Sequence, residues 1–111
     1  MPLSDIKRVP LANVAAGQTD SALVTAVAGA RIRVMSLVAS CAATATAFTL
    51  NSKPAGSGVA ISPLITNAIN DKTVLPHNPG GWFETAVGEG LTVTTGAGAT
   101  AGFTLTYVEV T

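Results

Sequence analysis

From Ala101 to Val110 the chain alternates: Phe103, Leu105 and Tyr107 fall on one side, Thr104, Thr106 and Val108 on the other. A period of two is the signature of a strand with one buried face. The same period recurs in Asp20–Val27, in Arg31–Val34, in Thr44–Leu50 (Thr46, Phe48 and Leu50 against Ala45, Ala47 and Thr49) and in Leu91–Thr95. No stretch has the 3.6-residue spacing of an amphipathic helix. Glycine, proline and asparagine clusters separate these runs: Gly17-Gln18, Ala28-Gly29-Ala30, the segment NSKPAGSG at 51–58, Asn70-Asp71, PHNPGG at 76–81 and Gly96–Gly98. Short candidate strands at Val59–Ile61, Leu64–Ile65 and Lys72–Leu75 bring the total to about eight, spaced as an all-β sandwich requires. The expected fold is a small jelly-roll-like sandwich with an extended N-terminal arm. An immunoglobulin-like sandwich is the rival, without the Cys–Trp–Cys core, because there is one cysteine, Cys41.

A chain of 111 residues holds one domain. The expected division is an arm at 1–16 and a sandwich at 17–111. Pro2 and Pro10 keep the arm out of a regular sheet, and Ile6, Val9 and Leu11 are its apolar contacts to a neighbour. A first edge strand is the other reading, since edge strands tolerate proline. Arg31 to Cys41 alternates at first, then turns apolar on both faces from Met35 to Ala39. Such a strand needs cover on each side, from a second sheet or another subunit. Met35 and Leu37 are therefore candidate interface residues. Arg31 and Arg33 share the outer face, either solvated or paired with acids on a partner.

Charged residues are 11% of the chain and sum to zero, against roughly 25% in an average soluble protein. Zero net charge speaks against nucleic-acid binding and against attraction to anionic membranes. The low charge density favours self-association, because little repulsion keeps copies apart. Val34–Ser52 is uncharged, but its serines, threonines and period-two pattern suit two strands better than a membrane span. Met1–Pro10 has no apolar core of a signal peptide.

Chemistry-bearing residues are sparse. His77 is the one histidine, no G-x-S-x-G elbow exists, and Cys41 lies in an apolar run suited to a buried, inert thiol. No catalytic, cofactor or metal site is expected. Glu84 and Glu89 flank a tight loop near Trp82; paired carboxylates beside an aromatic can serve glycoside chemistry, but a structural loop is the simpler reading. Trp82, with Phe83, either plugs an end of the sandwich or meets another subunit.

GGWFETAVGEGL at 80–91, followed by FTLTYVEV at 103–110, resembles the C-terminal half of small jelly-roll structural proteins of tailed bacteriophages. QTDSALV at 18–24 and GARIRV at 29–34 resemble their N-terminal half. The likeness spans roughly residues 17–110, and capsid cement or decoration proteins are nearest in size. It implies a virion protein, made in the host cytoplasm, that binds the outer capsid surface and ties major capsid subunits together, often as a homotrimer. The alternative is a receptor- or glycan-binding module of a tail fibre or head spike.

Overall fold

Strands that alternate must each bury one face, and two sheets laid face to face achieve this. The computed structural model describes residues 6–41, 45–68, 71–98 and 100–111, and among them the chain forms ten strands and no helix. Five make one sheet: β1 (Lys7–Val14), β3 (Arg31–Cys41), β7 (Lys72–Leu75), β8 (Phe83–Glu84) and β10 (Ala101–Val110). Five make the other: β2 (Ser21–Val24), β4 (Thr46–Lys53), β5 (Val59–Ala60), β6 (Ile65–Asn67) and β9 (Gly90–Thr95). The first sheet runs β1-β10-β3-β7, with β8 also on β3; the second runs β2-β9-β4-β5, with β6 also on β4. Every pair is antiparallel. The pairs nest, first strand with last and second with next to last, like a long hairpin rolled into a two-sheet jelly roll. The count exceeds the expected eight because the expected arm supplies β1 and the expected loop after PHNPGG supplies β8. The short strands β5 and β6 both lie on β4, and β7 and β8 both lie on β3.

The expected arm is largely a strand. Lys7–Val14 pairs with β10, Val9 stands opposite Leu105, Ala12 opposite Phe103, and Val14 is in the core. Proline is accommodated by a register shift between Val9 and Ala12. There the missing donor of Pro10 interrupts no regular ladder, and the Pro10 carbonyl accepts a hydrogen bond from the Thr104 hydroxyl at 2.9 Å. The sandwich thus begins at β1, not at residue 17. Pro2 and Asp5 of the expected arm, Thr44, Asn70 and Ala99 lie outside the described residues.

The doubly apolar run in β3 also has a local explanation. Val34 pairs with Tyr107 and Ser36 with Thr106, so Met35 is an extra residue in a bulge. Leu37 and Ala39 belong to the central cluster between the sheets, whereas Met35 and Val108 are buried outside it. Val108 stands opposite Arg33, on the side away from Ile32 and Val34. The chain's own loop edges the strand there: Asn78 N–H donates to the Met35 carbonyl and Trp82 N–H to the Val34 carbonyl. Neither Met35 nor Leu37 is available to a partner, being 2% and 0% exposed.

The core is filled from both sheets, with Leu37, Leu105 and Phe103 from one and Phe48, Leu50, Leu91 and Val93 from the other. Phe48 and Phe103 meet edge to face, ring centres 5.0 Å apart at 80°, the arrangement that sets a positive ring edge on a negative face.

Polar residues extend β4 past its apolar run. Asn51 and Ser52 are buried yet satisfied. Asn51 Nδ2 donates to Thr94 Oγ1 at 2.9 Å and to Asp20 Oδ1 at 3.3 Å; Ser52 Oγ donates to Glu89 Oε1 at 2.6 Å. Asp20 has a φ of 51°, a left-handed conformation that Asp tolerates. Its carboxylate also accepts from Thr92 Oγ1 and from the Gly58 amide, which latches the β4–β5 turn to the sheet. A side chain at 58 would displace the Asp20 carboxylate, since a Cβ there would lie 2.1 Å from Asp20 Oδ1.

Cys41 is buried, and its thiol donates to the Ala68 carbonyl at 3.0 Å. Cys41→Ala should cost about 1 kcal/mol, the net worth of a hydrogen bond. Reducing agent should leave the mass in solution unchanged. Light scattering with and without reductant checks this, and dissociation on reduction would reveal an intermolecular disulfide instead.

Candidate binding face

Register decides what the outer face of the β1-β10-β3-β7 sheet presents. Thr104 pairs with Val38, and Val38 with Val74. Their chain neighbours Phe103, Leu105, Leu37 and Ala39 all point into the core, so Thr104, Val38 and Val74 point outward. Leu11 joins them from the β1 bulge. Leu11, Val38 and Val74 are 63%, 42% and 54% exposed.

Between β1 and β3 the face is hollow, because Gly102 contributes no side chain. The resulting groove of about 390 Å³ is lined by Leu11 and Asn13, Gly102 and Thr104, Val38 and Ser40, with Thr100 alongside. None of these carries a charge. Charges share the face around it: Arg8 opposite Thr106, Lys72 opposite Ser40, Arg31 opposite Val110, and Arg33 bonded to Glu84, Nε to Oε1 at 3.0 Å.

The interface residues expected from sequence scatter over this frame. Leu11 is on the face. Ile6 is half-buried just before β1, and Val9 packs on the core. Arg31 is exposed at the start of β3, and Arg33 is held by Glu84 within the same chain. Phe83 pairs with Val34 and packs on the core. Trp82 stands at the β7–β8 margin, 40% exposed, its Nε1–H donating to the Pro76 carbonyl at 2.8 Å. It therefore clips the loop instead of plugging the sandwich. Sequence reasoning missed Val38, Val74 and Gly102. The signal for Val38 was present in its parity: it alternates with Leu37 and Ala39, which are inside.

The two glutamates do not converge on one point. Glu84 is engaged with Arg33 on β3, and Glu89 with Ser52 on β4 of the other sheet. Among the described residues no group of three or more His, Cys, Asp or Glu side chains comes together as metal ligands would. Compared with protein-family models, curated proteins and solved structures, the chain matches none of them.

Trp82→Ala should cost about 1–2 kcal/mol, from partial burial and one lost hydrogen bond. That is less than the ~3–5 kcal/mol expected of a core aromatic. Urea denaturation distinguishes the two. A loss above about 3 kcal/mol would mean that the loop organises more of the fold than its exposure implies.

Proposed function

We propose that this chain is a virion structural protein of the capsid cement or decoration type, binding the outer surface of a tailed-phage capsid and tying neighbouring major capsid subunits together. The observation that carries the reading is the distribution of exposed apolar side chains. Leu11, Val38, Val74 and Trp82 lie on or beside one sheet's outer face, while Val59 and Leu64 lie in the β5–β6 region of the other sheet. A part that links neighbours needs at least two separate contact surfaces, and contacts made together add avidity that neither has alone. An 11% charge content suits surfaces that become buried. The jelly-roll order agrees with the resemblance at 18–34 and 80–110. That resemblance also implies association of copies, commonly as trimers.

The test is co-sedimentation with expanded, empty capsids of the phage that encodes the chain. Saturable binding, weakened by Val59→Asp with Leu64→Asp, is the expected result. A protein that stays in the supernatant at every concentration would exclude the assignment. One observation favours a second reading, a glycan- or receptor-binding module: the ring of Trp82 is partly exposed at the sheet margin, where a sugar could stack. Binding to host cells or isolated glycans, lost in Trp82→Ala without loss of folding, would support that reading.

A further inference from the structure

We infer that the outer face of the β1-β10-β3-β7 sheet docks onto an acidic patch of another protein, with carboxylates meeting Arg8, Arg31 and Lys72 and an apolar side chain entering the Gly102 groove. Alternation fixes which charges stand there. Arg31 and Arg33 flank Ile32, which is in the core, so both point outward. Arg8 precedes Val9, which packs on the core, and Lys72 stands opposite Ser40, between the buried Ala39 and Cys41. Four of the chain's six basic residues thus share one face. The other two are engaged elsewhere: Lys7 lies 4.0 Å from Glu109, and Lys53 donates to the Pro54 carbonyl of its own turn.

Acids are sorted the other way. Glu84 is the one acid on the face among the described residues, and it is bonded to Arg33. Asp20 and Glu89 are held in the other sheet's network by Asn51 and Ser52, and Asp71, just before β7, accepts from the Lys72 amide at 2.8 Å. A chain of zero net charge therefore carries a cationic surplus on one side. Like charges gathered on one face repel one another, a cost to the free protein that a partner's acids offset. A second copy laid face to face would add to it.

Spacing describes the partner. Thr106, Thr104 and Gly102 point outward from β10 in steps of about 7 Å, two residues each. Arg8 stands in the row of Thr106, Val38 and Val74 in that of Thr104, and Lys72 in that of Gly102. An apolar row thus crosses the face between Arg8 and Lys72, with Arg33 and Arg31 farther along β3. The matching surface has carboxylates about 7 Å to either side of an apolar side chain, as at alternate positions of an extended acidic segment. Arginine's planar fork suits a carboxylate, which it can hold by two parallel hydrogen bonds. Phosphate surfaces fit less well. A DNA duplex carries a charge every ~1.7 Å and calls for a continuous basic track, which the apolar row interrupts. A bilayer keeps its hydrocarbon behind the headgroups, whereas the centre here is a hollow over Gly102. Four strands at ~4.8 Å spacing and the length of β10 at ~3.4 Å per residue give a face of about 650 Å². With the partner's share that is about 1,300 Å², the lower end of specific interfaces, so the contact is weak and sensitive to salt.

Fluorescence anisotropy of the purified full chain with a labelled peptide of repeating Glu-Ser-Leu-Ser tests this without any capsid. Its failure is thus separate from failure of shell binding, and nothing in the chemistry requires the partner to be a capsid subunit. The expected Kd is on the order of 10–500 µM at low salt, and added salt should weaken it. Arg8→Glu with Arg31→Glu, both exposed, should melt like wild type yet bind at least about tenfold more weakly. Leu11→Ser, at a position 63% exposed, should fold and bind at least about threefold more weakly. A peptide of repeating Lys-Ser-Leu-Ser should not bind. No binding of the glutamate peptide at millimolar concentration overturns the inference, as does undiminished binding in either variant or equal binding of the lysine peptide. Tighter binding of single-stranded DNA or of phosphatidylserine vesicles also overturns it, and would mark the face as one for phosphates.

Discussion

Phe103→Ala should lower the stability of the domain by about 3–5 kcal/mol, the cost of emptying a large buried aromatic site. Phe103 is 0% exposed and touches Phe48 across the two sheets, so its loss removes core volume and an edge-to-face contact that joins them. It also lies on β10, which pairs with β1 on one side and β3 on the other. A cavity there loosens three strands, and collapse of one onto it would break register with the others. A domain of this size has about 5–15 kcal/mol in total. The midpoint of thermal unfolding should fall by roughly 15–25 °C, or folding should fail at growth temperature. Phe103→Leu, which keeps most of the volume, should lose less than half as much. Equal losses in the two variants would mean that the aromatic geometry matters more than the space it fills.

Deleting residues 1–12 should make the protein aggregate or melt early. The deletion removes most of β1, uncovers the edge of the ten-residue β10, and exposes Leu105 and Phe103 where Val9 and Ala12 had stood opposite them. A long unpaired apolar edge is a template for pairing between chains. Natural β1 blunts its own outer edge with Pro10 and a bulge, a protection that β10 lacks. Turbidity and thermal melts of the truncated chain provide the check. A truncated protein that is soluble and melts like wild type would restore the view of this segment as a free arm.

The sheet-forming runs were legible because their period of two is strict: Phe103-Leu105-Tyr107, Phe48-Leu50 and Leu91-Val93 all point where alternation says. What alternation hides is a change of phase. The Met35 bulge and the Val9–Ala12 shift each add a residue without altering composition, and neither leaves a mark beyond Pro10. The apolar run Met35–Ala39 therefore read as a strand covered on both faces, when Met35 is the extra residue of a bulge and Val38 stays exposed on the outer face. The end of β4 was equally hidden. Asn51 and Ser52 look like turn residues until Asp20, Thr94 and Glu89, each distant in sequence, satisfy them. Of the face, Leu11 was legible as an apolar residue with no place in the core. Val38 and Val74 become neighbours only through the pairing of β3 with β7.

The assignment to a capsid surface is tested most directly by a reconstruction of the intact virion that carries the chain. The account predicts density of about 38 × 31 × 20 Å per copy on the outside of the shell, bridging adjacent capsid subunits. Density for the chain confined to tail fibres or spikes, or a virion that lacks the chain altogether, would contradict it.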